Sequence, residues 1–307
     1  MSGRRIRRLL TGAGAAAAAA ALCTASAVPV AQAAPAGNAA VQHVIVLLKN
    51  QHPEAPAAPA SIGRRAQLTA ADQAPLLAQA RGSGGRDFRQ LHVSNAFATA
   101  VPAAEAAKLA ADPAVAAVVP DRVVSAPRHE SEQPATGTQG PVSSAVCPAS
   151  PSQPLLEPEA LQLTHTASGD STPSAQQVAT GRGVTVAFLA DGLDVNNPDF
   201  IRADGSHVFT DYQDFSGDGV DAVTGGAEAF GDASAIAAQG RQTYDLAQFV
   251  NPAHPLPAGC TIRILGMAPG ASLVGLKVFP AGGFAFNSAI LAALDWAVTH
   301  DHADVIS

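Results

Sequence analysis

Apolar residues are spaced in two ways along the chain. Val184–Ala190 (VTVAFLA) and Ala271–Phe279 (ASLVGLKVF) are near-continuous apolar runs, which predict parallel strands covered on both faces. Asn287–His300 carries Ile290, Leu294 and Ala297, with Leu291 and Val298 alongside, and predicts an amphipathic helix before a strand at Asp304–Ser307. Upstream, residues 41–124 predict the order βαββαβ. Val44–Leu48 is a strand, and Thr69 is placed to cap a helix carrying Leu76 and Leu77. Leu91, Val93, Phe97 and Val101 alternate onto one face, interrupted at Asn95 as by a hairpin or bulge. Pro102 starts a short Ala-rich helix through Ala110, and Val115–Val124 supplies a last strand. The expected fold is α/β: an incomplete doubly wound parallel sheet over residues 181–307 with right-handed crossovers, preceded by a small two-layer α+β unit. Residues 125–180 are rich in Ser, Thr, Gln, Gly and Pro. They predict a linker and an arm, with a short apolar segment at Leu155–Leu163.

The first 33 residues change the setting. Arg4, Arg5, Arg7 and Arg8 precede an Ala-rich apolar run from Leu9 to Val30, and Ala31-Gln32-Ala33 is a small-residue cleavage site. This is the pattern of a signal peptide. Gly and Pro interrupt the run, which argues against a stable membrane anchor. The mature chain is therefore expected to be secreted, by the general or the twin-arginine route. Cys23 leaves with the signal, so Cys147 and Cys260 remain as an even pair in an oxidising compartment, joined as a disulfide or left as two thiols. A net charge of −7 with 14% charged residues argues against nucleic acid as a partner.

Two motifs carry a family resemblance. VTVAFLADGLDVNNPDF at Val184–Phe200 and GMAPGASLVGLKVF at Gly266–Phe279 resemble the catalytic-aspartate and later strand blocks of subtilisin-like serine proteases, which read roughly VAVIDTGID..HPDL and GVAPGA.L..VKV. AILAALDWAVTHDHADVIS resembles the helix before the substrate-binding strand of that family. IVLLKN and DPAVAAVVPDRVV resemble its inhibitor-type propeptide. The resemblance implies a secreted serine endopeptidase precursor acting on protein or peptide substrates. Its ferredoxin-like propeptide would dock in cis on the protease domain, and maturation would cut between Ser125 and Val146. It also implies that the oxyanion Asn and the nucleophile Ser lie beyond Ser307, since residues 181–307 hold no GTSxA. Residues 34–307 alone are expected to be inactive. A non-catalytic pseudoprotease that binds peptides, and an inhibitor or chaperone of another protease, are the alternatives.

The chain departs from the family at the acid and base positions. Gly192, Asp194, Pro198 and Asp199 fall on the family's Gly, Asp, Pro and Asp, which puts Ala190 at the catalytic Asp and Asp191 one residue on. A one-residue shift along a strand reverses the face, so Asp191 takes the triad role only if the strand end is irregular; otherwise it is a turn residue. In the helix block, Gly231-Asp232-Ala233-Ser234 replaces GHGT, so Asp232 stands for the general-base His. As a base, Asp232 needs a raised pKa and acid conditions, as in the sedolisin relatives; otherwise it is a helix N-cap. His207, His254, His300 and His302 lack zinc-site spacing. No cofactor is called for. A structural calcium at Asp214, Asp218 and Asp221 remains an alternative, although the run lacks a complete EF-hand loop.

Overall fold

Local hydrogen bonding, more than hydrophobic spacing alone, decides where the N-terminal elements begin and end. The structure is a computed structural model that describes residues 40–126, 147–156, 158–168, 172–220, 228–248, 256–281 and 283–307. The signal-peptide reading, Asp221 and His254 lie outside the described residues. The N-terminal module comprises β1 (Val41–Leu48), α1 (Ile62–Gly82), β2 (Arg86–Leu91), β3 (Ala96–Pro102), α2 (Ala103–Ala111) and β4 (Val115–Pro120). Its strands lie in the order β2-β3-β1-β4, with every neighbouring pair antiparallel. One face packs Val44, Val46, Phe97 and Val101 under Leu76, Leu77 and Leu109 of the helices. The other face carries Ile45, Leu91, Ala96 and Ala98.

Three expectations change here. Thr69 lies inside α1, not at its start, because its hydroxyl bonds back to the Arg65 carbonyl at 3.0 Å. Residues Ala96–Val101 of β3 are all buried, because both faces of the strand are covered. The last strand is broken: Val123–Ser125 forms a separate β5. The break falls at Asp121, whose amide donates to the His43 carbonyl at 2.9 Å and whose carboxylate leaves the sheet to accept from Ser288 N at 2.9 Å.

The arm supplies β6 (Leu155–Leu156) and the short α3 (Pro158–Leu163). Then follow β7 (Thr185–Ala190), β8 (Phe209–Asp214), α4 (Glu228–Ala237), β9 (Tyr244–Asp245), β10 (Thr261–Arg263), β11 (Ser272–Lys277), β12 (Phe284–Phe286), α5 (Asn287–Thr299) and β13 (Val305–Ile306). The main sheet has the order β13-β7-β11-β8 and is parallel throughout. Val186, Phe188 and Ala190 face Ala229, Ala233 and Ala237 of α4. Ala187 and Leu189 belong to the opposite cluster with Ala293 and Ala297 of α5. The continuous apolar runs thus follow from burial on both faces. A small sheet, β6-β10-β9, joins the arm to this body, and Cys147 and Cys260 form a disulfide beside it, 4.7 Å apart at Cα. The protein is a mixed α/β fold with a parallel sheet.

The module's second face sits on α5, with Ile45, Leu91, Ala96 and Ala98 against Leu291 and Ala292. At one end His43 stacks on Phe286 at 4.6 Å. Asp295 of α5 is buried and accepts from His92 N and Val93 N, both at 2.6 Å, in the β2–β3 turn. Beyond Asp121, β5 pairs antiparallel with β12, with Val124 opposite Ala285.

One position in the parallel sheet tests this packing directly. A Cβ on Gly275 would stand 2.3 Å from the Tyr212 ring. Gly275→Ala is expected to destabilise the fold by about 1–3 kcal/mol, read as a lower midpoint in thermal or urea unfolding of the full chain. An unchanged midpoint would show that the ring yields freely.

Candidate functional site

Three parallel strands end together, and two of them end on charged residues. Lys277 is in register with Ala190 of β7 and Asp214 of β8. Open parallel sheets bind ligands beyond these carboxyl ends. Lys277 is fully buried at 0% exposure, pairs with Asp218 and donates from Nζ to the Gly219 carbonyl at 2.9 Å. Burial alone would raise the Asp218 carboxyl, but the Lys277 ammonium, the Ser216 hydroxyl and the Ala281 amide outweigh it and hold the group at about 2. Asp214 accepts from the Ser216 hydroxyl and from the amides of Gly219 at 2.9 Å and Ser216 at 2.8 Å, which together keep it below its ordinary range despite burial. Tyr212 accepts from Leu193 N at 3.2 Å, and burial, then the nearby carboxylates, push its phenol up.

These bonds bear on the calcium reading. Asp214 is turned onto the amides of its own loop and Asp218 onto Lys277. Among the described residues no group of three or more His, Cys, Asp or Glu side chains is arranged to hold a metal ion.

The family-matched positions come out as follows. Ala190 lies in the α4-facing core at 0% exposure, and its carbonyl accepts from Val278 N at 2.9 Å. Strand alternation would send Asp191 to the α5 side. β7 ends at Ala190, however, and the Asp191 carboxylate accepts from Ala229 N of α4 at 3.0 Å. The chain turns after Ala190, and the Asp191 carboxylate reaches the first turn of the helix that carries Asp232. Asp232 lies in the second turn of α4, half-buried, three residues beyond Ala229. It is not an N-cap, because the helix begins at Glu228. The structure thus brings both acids to one helix, with Asp191 occupied by a first-turn amide.

The histidines lie elsewhere. His300 stacks on Trp296 at 3.7 Å, and Trp296 Nε1 donates to Asp211 at 3.1 Å. Burial, then the neighbouring Asp211 carboxylate, pushes Asp301 up to about 6. His207 serves through its carbonyl, which accepts from Arg202.

A second polar set was not singled out from sequence: Asp121 and Asp295, which hold the module to α5. Asp295 does leave a signal, since it is the one charged residue within the otherwise apolar, amphipathic run Ala289–Val298. Lys277 leaves the same kind of signal within ASLVGLKVF.

The Lys277–Asp218 pair yields a sign-defined expectation. The folded Asp218 carboxyl sits below its ordinary 3.8, so its stabilisation is present above that value and is lost as pH falls through about 2. Asp218→Asn removes the carboxylate facing a buried ammonium and is expected to cost about 3–5 kcal/mol at neutral pH. It should also flatten the acid limb of the stability curve. Lys277→Met added to it should recover a large part, as read from a double-mutant cycle of urea midpoints.

No model of a known protein family matches the chain. No curated protein matches it in sequence. Among solved structures it is similar to fervidolysin from Fervidobacterium pennivorans, described as a keratinolytic enzyme related to subtilisin, with 16% identity and a TM-score of 0.46. The match covers 89% of this chain and 36% of that one, so the chain spans little more than a third of that structure's length.

Proposed function

We propose that this chain is the N-terminal part of a secreted subtilisin-like serine endopeptidase precursor. In this reading the parallel sheet belongs to a doubly wound peptidase domain, and residues 41–124 are a ferredoxin-like propeptide docked on it in cis. The observation that carries the proposal is the antiparallel pairing of β5 with β12, Val123–Ser125 against Phe284–Phe286. A peptide added in extended form to a free strand gains affinity from main-chain hydrogen bonds and selectivity from alternate side chains. Here Ala285 is buried opposite Val124, while Phe284 and Phe286 stay exposed. The βαββαβ order and the β2-β3-β1-β4 arrangement support the propeptide reading.

In the catalytic version Asp232 is the base and Asp191 its neighbour, and turnover requires acid, because two nearby carboxylates share a proton and lose function when both ionise. A second reading is favoured by Ala190 in the core and Asp191 bound to Ala229 N: a pseudoprotease that binds peptides without cutting them. The pH–rate profile of the full-length secreted protein on fluorogenic peptides decides between them. Acid-optimal hydrolysis, lost in Asp232→Asn, is the expected outcome. Full activity in Asp232→Asn would remove Asp232 from the chemistry, and peptide binding without hydrolysis would establish the second reading.

A further inference from the structure

One buried histidine near the docking turn takes no part in the motifs or in the proposed function. His52, in the loop between β1 and α1, is 4% exposed and has φ 48, in the left-handed region. Its Nδ1 lies 2.8 Å from Glu54 Oε1 and its Nε2 lies 2.8 Å from Asp72 Oδ2. An ionised carboxylate only accepts, so both ring nitrogens donate and the ring is imidazolium. The Asn50 side-chain amide is 3.4 Å from either nitrogen, too far to compete with these bonds.

One of these acceptors, Asp72, also holds the turn that docks. Asp72 Oδ2 also accepts from Asn95 Nδ2 at 3.1 Å, and Asn95 Nδ2 donates to the Asn50 carbonyl at 2.7 Å. Arg65 ties the two segments together. Its guanidinium donates to the carbonyls of Gln51 at 2.8 Å and His52 at 3.1 Å, and to those of His92 at 2.9 Å and Val93 at 2.6 Å. The amides of His92 and Val93 are the ones Asp295 accepts.

We propose that protonated His52 is a pH-sensitive latch on the docking turn, so that the module grips α5 while the ring is imidazolium and loosens as the ring loses its proton. The groups that face the ring set the direction. Glu54 from its own loop and Asp72 from α1 favour the proton. Arg65 from α1 opposes it but spends its donors on carbonyls, and Arg64 acts on Glu54. From the turn, His92 is engaged through Nδ1 by Thr69 Oγ at 2.9 Å. The bond to Glu54 raises the titration of His52 above 6.5, against burial, with Asp72 adding to the rise. A raised histidine contributes its full stabilisation below the ordinary value and loses it as pH climbs through the folded value. The latch therefore opens toward alkaline pH. It concerns docking alone and stands whether or not the docked domain hydrolyses peptides.

The test uses the full chain with the N-terminal module still attached, with 15N spectra of the His52 ring and hydrogen exchange corrected for intrinsic rates between about pH 5 and 9. Both ring nitrogens are expected to be protonated at the acid end. Opening at the amides of His92, Val93, Ala126 and Ser288 should rise, by at most about tenfold per pH unit, above the ordinary histidine value and level off once the ring has titrated. Val278 N, inside the parallel sheet, should show no such step. Glu54→Gln should move the step to lower pH, and His52→Gln should abolish it. A neutral ring at the acid end, a flat profile, the same step at Val278 N or an unchanged step in His52→Gln would overturn the proposal. Should His52→Gln fail to fold, Glu54→Gln decides, and an unmoved step in that variant is the overturning result.

Discussion

Side-chain alternation along β7 is the constraint on which the rest of the body depends. The strand is sandwiched between α4 and α5, so each residue is committed to one helix or the other. Residues 186, 188 and 190 pack on α4 and residue 187 on the α5 side. That parity leaves no room for a carboxylate at position 190 without disturbing the contact with Ala229 and Ala233. The carboxylate stands one residue on, at Asp191, where the strand has ended and the backbone can turn. Where the carboxylate of Asp191 points is thus set by where the strand stops as much as by strand alternation.

A second regularity is the use of carboxylates on backbone amides. Asp191 takes an amide of α4, Asp121 an amide of α5, and Asp295 two amides of the β2–β3 turn. Asp199, fully buried, accepts from Arg241 N at 2.7 Å, Gln242 N at 2.8 Å and the Tyr244 hydroxyl at 2.8 Å. Hydrogen bonds to a charged group contribute roughly 1.5–3 kcal/mol each, more than neutral ones. They are directional, so they fix orientation where apolar contact between Ala-rich surfaces would allow sliding. The docking face is of that kind, with Ala96, Ala98 and Ala292 at its centre.

Strand and helix identity was legible where one period dominated. The runs at β7 and β11 and the amphipathic α5 fall where their spacing puts them. Boundaries were not legible where a side chain redirected a hydrogen bond. Thr69 reads as a cap in sequence and is a back-bonded interior residue. The helix that carries Asp232 starts a turn early, at Glu228. The stretch from Val115 to Val124 is one apolar run in sequence but two strands in space, because Asp121 turns toward a helix nearly two hundred residues away in the chain. Of the site, Asp191 and Asp232 were visible only through their motif positions. The reach of Asp191 to the helix that carries Asp232 depends on the chain turning after Ala190, which no periodicity encodes.

The pairing of β5 with β12 is intramolecular, and only Asp121 and Arg122 separate β5 from β4. So short a tether holds the segment at an effective concentration of millimolar order or higher at the edge it covers. A free peptide of equal intrinsic affinity must reach that concentration merely to share the strand. A cut beyond Ser125 would leave β5 joined only to the N-terminal module, and its hold on β12 would then become part of an ordinary bimolecular equilibrium governed by dilution.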